Sequence, residues 1–326
     1  MPEQFKPRYF DPGARAGAVV GDDASVTLRL DDTTAYVYSP AIILAVNVAM
    51  ATGRPLLIAG NPGTGKTTLA ANVAKLLGWK FYSCVVTSRT RAQDLMWKFD
   101  ALRRLSDAQA SMHSAGSLRP RAAYLEPQAL WWAFDADTAS RRGAGPAQAD
   151  VPPASDPQAA VESLCAVVLL DEIDKAEPDV PNDLLEALDA ERFTVDALDS
   201  PLQVCGRRER VLMMITTNGE RELPAAFMRR CVVLKLEPPT ANQLVEIAND
   251  RFGSERAATH RAIAERLVHL RELSRQQNLR EPSTAEYLDA LAACERLQVD
   301  HRSPRWALLE QTLLWKRDLP LPDANM

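Results

Sequence analysis

Hydrophobic and polar positions divide the 326-residue chain into two parts with different periodicities. Up to about residue 238, short uninterrupted apolar runs alternate with segments whose apolar residues have helical spacing, and beyond it only the helical spacing continues. Uninterrupted runs are typical of strands buried on both faces of a parallel sheet. The pattern therefore predicts an α/β fold followed by a smaller all-helical domain. The predicted core strands cover residues 55–59, 80–87, 166–170, 210–217 and 232–236.

Breaks in this pattern indicate where the domains meet. Residues 1–35 are rich in proline, glycine and charge, which predicts an N-terminal arm, and alternation over residues 25–38 indicates a small hairpin. The α/β core is then expected over residues 36–238 and the helical domain over 239–326, on either side of the Pro238-Pro239 pair. Within the core, residues 140–160 have few large aliphatic side chains and predict a mobile surface loop.

One helix of the core is predicted from the spacing of leucine and phenylalanine. Large apolar residues recur three or four positions apart, which predicts a helix over residues 91–110. We expect the aromatic residues of this part of the chain to pack on the core, and the alternative is that they grip a substrate at the surface. These aromatic residues are Trp97, Phe99, Trp131 and Trp132.

The segment Gly60-Asn-Pro-Gly-Thr-Gly-Lys66-Thr67 follows the first predicted core strand and opens a predicted helix. It matches GxxxxGK[ST], the phosphate-binding P-loop. Glycines let successive N–H groups point into one concavity, to which the helix N-terminus adds a positive dipole. Lys66 is expected to contact the β- and γ-phosphates, and Thr67 to bind Mg²⁺. The predicted nucleotide-binding residues are Gly60, Asn61, Pro62, Gly63, Thr64, Gly65, Lys66, Thr67 and Thr68.

Two acidic residues, Asp171 and Glu172, follow the apolar run at residues 166–170. In open α/β sheets, ligands bind beyond the carboxyl ends of the strands, which is where these side chains are expected. We predict that Asp171 binds Mg²⁺ together with Thr67, and that Glu172 positions or deprotonates the attacking water. An Asp-Glu pair is weak evidence alone, and it becomes informative because it lies downstream of a P-loop.

Composition argues against several other classes of protein. The net charge of −5 disfavours a broad nucleic-acid-binding face, although residues 89–121 are locally basic and are expected to form a solvated helix face or a subunit interface. The five cysteines are scattered, as in reduced cytoplasmic proteins, and the four histidines have no zinc-ligand spacing. The first residues do not resemble a signal peptide, and the longest apolar stretch, 41–51, is too short to cross a membrane.

The order of these motifs resembles that of the AAA+ ATPase family. After the P-loop and Leu-Leu-Asp171-Glu172 come Met214-Ile-Thr-Thr-Asn218, then Leu223-Pro-Ala-Ala-Phe-Met-Arg229-Arg230, and finally helices similar to the family's lid. Segments beginning at Arg91 (RAQDLxWxF) and Tyr124 (YLEPxALW) are similar to the MoxR branch. The resemblance covers residues 36–300 and implies a five-stranded parallel sheet flanked by helices, with a small all-α lid domain.

The resemblance also implies roles for residues outside the P-loop. Asn218 matches the sensor-1 position, whose amide contacts the attacking water or the γ-phosphate. Arg230 matches the arginine finger that a neighbouring subunit inserts into the ATP site, with Arg229 as the alternative. A finger acting in trans implies a homo-oligomeric ring, most often a hexamer. MoxR-like lids carry a sensor-2 arginine where this chain has Ala285, and Arg280 is the candidate replacement.

The function implied by the resemblance is hydrolysis of ATP with Mg²⁺ by a ring that remodels or matures a partner protein or complex, as a chaperone does. MoxR-like proteins often work with a von Willebrand factor A-domain protein, which would be a separate chain here. One alternative is an AAA+ motor that acts on nucleic acid, which the negative charge disfavours. Another is a nucleotide-gated switch or scaffold with little turnover. We predict neither membrane insertion nor a nucleic-acid partner.

Overall fold

The computed structural model describes residues 9–21, 24–30, 36–113, 118–145, 148, 150–277 and 279–315. Its strands are β1 (Val19–Val20), β2 (Val26–Leu28), β3 (Tyr36–Tyr38), β4 (Leu56–Ala59), β5 (Lys80–Val85), β6 (Trp97–Phe99), β7 (Leu125–Pro127), β8 (Ala166–Asp171), β9 (Arg192–Val195), β10 (Leu202–Cys205), β11 (Val211–Thr217) and β12 (Val232–Lys235). Its α-helices are α1 (Pro40–Thr52), α2 (Lys66–Leu77), α3 (Ala101–His113), α4 (Ala129–Phe134), α5 (Ala136–Ser140), α6 (Asp179–Asp183), α7 (Leu185–Ala190), α8 (Ala225–Met228), α9 (Ala241–Phe252), α10 (Ala257–Gln276), α11 (Thr284–Arg296) and α12 (Pro304–Leu313).

Five strands form one parallel sheet in the order β12-β4-β11-β8-β5, which confirms the predicted α/β fold. The three central strands β4, β11 and β8 are almost entirely buried, because helices cover both faces of the sheet. Their register places Thr217 of β11 beside Ala59 of β4, and Ile215 beside Leu170 of β8. The carboxyl ends of the three strands therefore lie side by side at one edge of the sheet.

Side chains alternate between two hydrophobic clusters, one on each face of the sheet. The cluster on one face contains Trp97, Trp131 and Trp132, and Phe99 packs against its edge. Trp131 is fully buried at 0% exposure, and its indole N–H donates to Thr138 Oγ1 at 3.0 Å. The prediction that these aromatic residues belong to the core is thus confirmed.

The helix predicted over residues 91–110 is wrong in its first half. Residues 92–95 form a 3₁₀ turn, and β6 then pairs antiparallel with β7, with Trp97 opposite Pro127. The helix α3 begins only at residue 101, where Asp100 Oδ1 accepts the N–H of Arg103 at 2.8 Å. Leucine and phenylalanine spacing alone could not separate these elements, because β6 is stabilised by a partner strand almost thirty residues further along the chain.

The buried amide of Asn47 attaches the start of the described N-terminal arm to the core. Asn47 of α1 accepts the N–H groups of Tyr9 and Phe10 at 2.9 and 3.2 Å, and donates to Phe10 O at 2.7 Å. Strands β2 and β3 pair antiparallel, which confirms a hairpin within residues 25–38, although its turn and residues 1–8 lie outside the described residues. The arm thus contributes Phe10 to the core, with 1% exposure.

The carboxylate of Asp156 attaches the segment 140–160 to the edge strand β5. Asp156 accepts hydrogen bonds from Lys80 Nζ at 2.7 Å and from the Tyr82 hydroxyl at 2.9 Å. Hydrogen bonds from these donors lower the pKa of Asp156 against the opposing effect of burial. Residues 146, 147 and 149 lie outside the described part of the chain, and the mobility of this segment stays a prediction.

Helices α9 to α12, which we call the helical unit (residues 241–313), share a third hydrophobic cluster separate from the other two. Thr240 and Ser283 form the capping boxes that open α9 and α11, each accepting a backbone N–H three residues on. The limits of the predicted domains, including residues 316–326 outside the described part, stay predictions. None of the helices that the structure describes is long and apolar enough to cross a membrane.

Candidate functional site

The P-loop lies between β4 and α2, as its sequence context predicts. Gly63 and Gly65 have φ values of +78° and +90°, which residues other than glycine rarely adopt. A Cβ atom added to Gly63 would lie 2.4 Å from Ser283 Cβ in the helical unit. The turn therefore needs glycine at this position both for its backbone conformation and for its close contact with α11.

Lys66, the first residue of α2, is only 7% exposed and has three hydrogen-bond acceptors around its ammonium group. It donates to Gly60 O at 2.5 Å, Asn61 O at 3.0 Å and Asn218 Oδ1 at 2.7 Å. The third contact joins the P-loop to the end of β11. The ammonium group is thus held in place by the loop itself and by the predicted sensor residue.

Burial lowers the pKa of Lys66, and three nearby carboxylates act in the opposite direction. These are Asp171, the last residue of β8, and Asp174 and Glu172 in the turn that follows. Acidic groups on the central strand thus favour the charged form of a lysine that burial alone would disfavour. The site therefore places one buried cation beside several carboxylates. The cation suits a phosphate group, and the carboxylates suit a divalent metal ion.

Oxygen atoms suited to a magnesium ion meet at the end of β8. Thr67 Oγ1 donates to Asp171 Oδ2 at 2.8 Å, and Thr216 Oγ1 donates to Asp171 Oδ1 at 2.5 Å. Mg²⁺ prefers hard oxygen ligands and takes one or two carboxylates plus phosphate and water oxygens in nucleotide sites. Thr67 and Asp171 therefore fit the predicted metal site. Across the described residues, no cluster of three or more His, Cys, Asp or Glu forms an all-protein metal cage.

Glu172 follows Asp171 in the left-handed backbone conformation, with φ 62° and ψ 50°. This conformation is costly for a residue other than glycine and often occurs at functional sites. The carboxylate accepts hydrogen bonds at both ends, from Asn218 Nδ2 at 3.1 Å and from Lys175 Nζ at 2.7 Å. Its backbone N–H donates to Thr216 Oγ1 at 2.8 Å. Backbone and side chain are therefore both held by neighbouring groups.

A buried carboxylate fixes the turn that carries Asn218. Asp174 is 2% exposed, and its Oδ2 accepts the N–H groups of Asn218 and Glu220 at 3.0 and 2.9 Å. Its Oδ1 has no hydrogen-bond partner among the residues that the structure describes. Asp174 lies in the same short 3₁₀ turn that follows Glu172, so the turns after β8 and β11 are locked to each other.

Most predicted nucleotide-binding residues line one of two adjoining cavities. The first, the phosphate cavity, has a volume of about 210 Å³. It is lined by Pro62, Gly63, Gly65, Lys66, Thr67, Thr68, Asp171, Glu172 and Asn218. Of the remaining P-loop residues, Gly60 and Asn61 contribute the carbonyl oxygens that Lys66 contacts. Lys66, Thr67, Asp171, Glu172 and Asn218 are thereby brought together as predicted.

The second cavity, the base cavity, has a volume of about 610 Å³ and lies between the P-loop and the helical unit. Thr64 lines it, and most of its exposed wall is apolar, with Ile42, Ile247 and Leu288 among the lining residues. Ala285 also lines this cavity, whereas Arg280 donates to Glu286 at 2.8 Å and lines neither cavity. The arginine that sequence suggested as a sensor-2 replacement is thus paired within the helical unit.

The two finger candidates lie beyond the C-terminal end of α8, away from the cavities of their own chain. Arg230 forms an ion pair with Asp189 and donates to Ala226 O at 2.9 Å. Arg229 is exposed, and its side chain has no polar partner among the described residues. Arg54, just before β4, donates to the carbonyl groups of Arg229, Arg230 and Cys231 and holds this turn against the sheet.

Comparison with known proteins decides the family. Residues 55–231, more than half of the chain, match the family described as AAA domain, dynein-related subfamily. The chain belongs to this family of AAA+ ATPases. Its members bind nucleotide through the P-loop, so the two cavities lie where this AAA+ domain is expected to hold its ligand. The match does not distinguish the MoxR branch, which stays a prediction.

Solved structures with a similar fold include two of RuvB from Thermotoga maritima. A RuvB mutant is 17% identical, has a TM-score of 0.40, and the match covers 86% of this chain and 77% of that one. The RuvB Holliday junction branch migration motor is 18% identical, with a TM-score of 0.38 and coverage of 79% and 67%. A search of curated proteins finds no match to this chain.

Three residues that hold the site were not recognised in the sequence. Thr216, Asp174 and Lys175 support Asp171, Asn218 and Glu172 respectively. Lys175 could have been noticed, because side chains three residues apart lie on the same side of a 3₁₀ turn. Thr216 and Asp174 act across neighbouring strands, so their partners lie more than forty residues away in the chain.

Proposed function

We propose that this AAA+ protein hydrolyses ATP with Mg²⁺ in a homo-oligomeric ring of the MoxR type and uses the energy to remodel a partner protein. The observation that carries the proposal is the convergence of Lys66, Asp171, Glu172 and Asn218 on one cavity. Each of these side chains has a different predicted role in ATP hydrolysis. Hydrogen bonds already link them to one another or to the P-loop. A site used only for binding nucleotide would not need the carboxylate of Glu172.

The roles follow from these contacts. Lys66 and the N–H groups of the P-loop would bind the β- and γ-phosphates, and Thr67 with Asp171 would hold the metal ion. When bound, Mg²⁺ supplies positive charge that neutralises the transferring phosphoryl group. Glu172 would orient the attacking water or take its proton at the carboxylate, and Asn218 would hold that water or a phosphate oxygen with its amide.

The base cavity supports a nucleoside rather than a bare polyphosphate as the ligand. It adjoins the phosphate cavity through shared lining residues Gly63, Gly65 and Thr68, and its volume and apolar walls suit a purine base. The choice of adenine rests on the family resemblance. A ligand occupying both cavities would contact the core and the helical unit at the same time, which would link ligand binding to the position of the helical unit.

We further propose that Arg229 acts in the neighbouring subunit's site. Arg230 is held by Asp189 and by a backbone carbonyl, so moving it would break two contacts. Arg229 is exposed on the same turn and is free to reach outward. This assignment reverses the order of the two candidates given by the sequence motif. We expect co-purification to recover the partner protein, which the MoxR resemblance suggests is a von Willebrand factor A-domain protein.

A mixing experiment tests hydrolysis and the ring together. We expect the specific ATPase activity of the wild type to rise with protein concentration, because neighbouring subunits complete each site. Glu172→Gln and Arg229→Ala should each lose most activity, by about 10²–10⁴-fold and 10³-fold or more. Mixing them should restore part of it, since some interfaces then pair an intact base with an intact finger.

The matched control for the finger is Arg230→Ala, which removes a neighbouring arginine and its surface ion pair. We expect this variant to keep activity close to that of the wild type, because exposed ion pairs contribute at most about 1 kcal/mol. If Arg230→Ala is inactive and Arg229→Ala is active, the assignment of the finger is wrong. If no variant or wild-type preparation hydrolyses ATP although nucleotide binds, the protein is a switch rather than a motor.

A further inference from the structure

Lys175 makes a direct contact with the proposed catalytic base, yet no motif includes it. Its Nζ lies 2.7 Å from Glu172 Oε2, and both residues belong to the tight turn that follows β8. The other oxygen of the carboxylate, Oε1, accepts from Asn218 Nδ2 at 3.1 Å. Glu172 is therefore held at both oxygens, by a cation on one side and by an amide on the other.

Lys175 does not itself reach the proposed reaction. It is absent from the residues lining either cavity, whereas Glu172 lines the phosphate cavity. Any effect of Lys175 on hydrolysis must therefore pass through the position or the charge of Glu172. A catalytic side chain needs to be held within about 0.5 Å of its productive position, and packing or hydrogen bonds from a second layer of residues provide that restraint.

The charges around Lys175 keep its ammonium group protonated. The hydrogen bond to Glu172 raises the pKa of Lys175 above its ordinary value, and the carboxylates of Glu220 and Asp174 act in the same direction, against a smaller opposing effect of burial. The charged ammonium group can therefore hold the carboxylate of Glu172 through a charge-assisted hydrogen bond. The same contact also limits rotation of the carboxylate.

We propose that Lys175 is a positioning residue for ATP hydrolysis, holding the carboxylate of Glu172 on the wall of the phosphate cavity. Asn218 provides the second restraint and also contacts Lys66 at 2.7 Å, so the chain Lys66–Asn218–Glu172–Lys175 joins the phosphate-binding lysine to the base. The inference rests on the proposed function, because it assigns a role within that reaction.

The test is Lys175→Met, which keeps the length of the side chain and removes its charge and its hydrogen bond. We expect the single-turnover rate of ATP hydrolysis to fall about tenfold, less than the loss from removing the base itself. The affinity for ATP, measured by fluorescence titration, should stay within about twofold, because Lys175 touches neither cavity. Lys175→Arg should recover part of the rate, since a guanidinium can still donate to Glu172.

Two controls separate positioning from a general structural effect. Arg91→Met removes another cation that pairs with a carboxylate three residues away in a 3₁₀ turn, at Asp94, and should leave the rate unchanged. In a Glu172→Gln background, Lys175→Met should cause no further loss, because the lysine acts through that carboxylate. Equal losses in both backgrounds would overturn the proposal.

The outcomes also separate this inference from the proposed function. If the wild type hydrolyses ATP and Lys175→Met is as fast or faster, the lysine does not position the base, and only this inference fails. If Lys175→Met loses ATP affinity as strongly as it loses rate, the residue supports the whole site and the inference fails again. If the wild type hydrolyses no nucleotide at any concentration, both proposals are overturned.

Discussion

The two walls of the nucleotide site differ in chemistry. The wall formed by the sheet edge carries Lys66, Asp171, Glu172 and Asn218, linked by hydrogen bonds among themselves and to residues behind them. On the helical unit, Ile247, Ala285 and Leu288 line the base cavity beside the polar Gln243, Arg251 and Thr284, and Glu281 Oε1 accepts from Asn61 Nδ2 of the P-loop at 3.2 Å. The groups proposed for catalysis therefore lie on one wall, and the other wall encloses the larger cavity.

The helical wall depends instead on one buried cation at its base. Arg271 of α10 donates to Pro282 O at 2.9 Å, to Pro239 O at 3.0 Å and to Thr284 Oγ1 at 3.4 Å. Burial lowers the pKa of Arg271 to about 10, so the guanidinium is still charged at neutral pH. Because Pro239 belongs to the linker and the other two acceptors open α11, Arg271 joins the linker to the part of the helical unit that faces the P-loop.

Substitutions in the two walls are therefore expected to have different effects on activity and stability. Damage to the sheet edge should remove chemistry while the fold remains, since its polar groups lie at the ends of well-packed strands. Damage around Arg271 should change stability and the position of the helical unit while the reacting groups remain in place. The following predictions test that separation, beginning with the largest expected effect.

The strongest test of the sheet-edge wall is Lys66→Met. We expect ATP hydrolysis to fall by about 10²–10³-fold, because the main cation facing the phosphates is lost. Steady-state hydrolysis by phosphate release measures this, with Lys75→Met at the other end of α2 as the control that should remain active. A comparable loss in the Lys75 variant would mean that lysine removal damages the helix rather than the site.

A variant of the helical wall, Arg271→Met, should affect stability first. It removes three hydrogen bonds and leaves their acceptors at a mostly buried position, so we expect the free energy of unfolding to fall by about 2–4 kcal/mol. The KM for ATP should rise while kcat changes little, because the reacting groups are untouched. Urea denaturation and steady-state kinetics measure the two effects. A fall in kcat as large as that of Lys66→Met would show that Arg271 also affects the reacting groups, and that the two walls do not differ in this way.

The smallest expected effect is a pH dependence from His260 in the helical unit. Its Nδ1 lies 2.8 Å from Asn249 Oδ1, and burial, with Arg256, lowers its pKa while Glu295 acts in the opposite direction. The folded protein therefore binds the proton less readily than the unfolded chain, whose histidine pKa is about 6.5. The stability that His260 contributes is present above pH 6.5 and is lost as the pH falls through the lower folded value.

Denaturation curves at several pH values measure this effect as a difference between the wild type and His260→Gln. Below pH 6.5 the free energy of unfolding should fall more steeply for the wild type, because only that protein carries the titrating group. Identical slopes for the two proteins would show that His260 makes no contribution. ATP hydrolysis at neutral pH should be the same in both, since the residue lies outside both cavities.

The sequence predicted the sheet-edge wall better than the helical wall, for a physical reason. The P-loop is a local motif, and Asp171 follows an apolar run whose only plausible place is a central strand, so both positions follow from neighbouring residues. Arg271 could not be recognised, because two of its acceptors lie 11 and 32 residues away and are backbone carbonyls. The helix prediction over residues 91–110 was wrong for the same reason, because it could not include the long-range pairing of Trp97 with Pro127.

The contact between Gly63 and Ser283 has a consequence for timing. Because one added carbon on Gly63 would collide with Ser283 at the start of α11, the helical unit touches the P-loop at this point, beside the cavity that separates them elsewhere. A swing of these helices, a class of motion that takes microseconds to milliseconds or longer, would break or restore this contact. A nucleotide spanning the two cavities would lie against both sides of the contact, so its release would be linked to the swing of the helices.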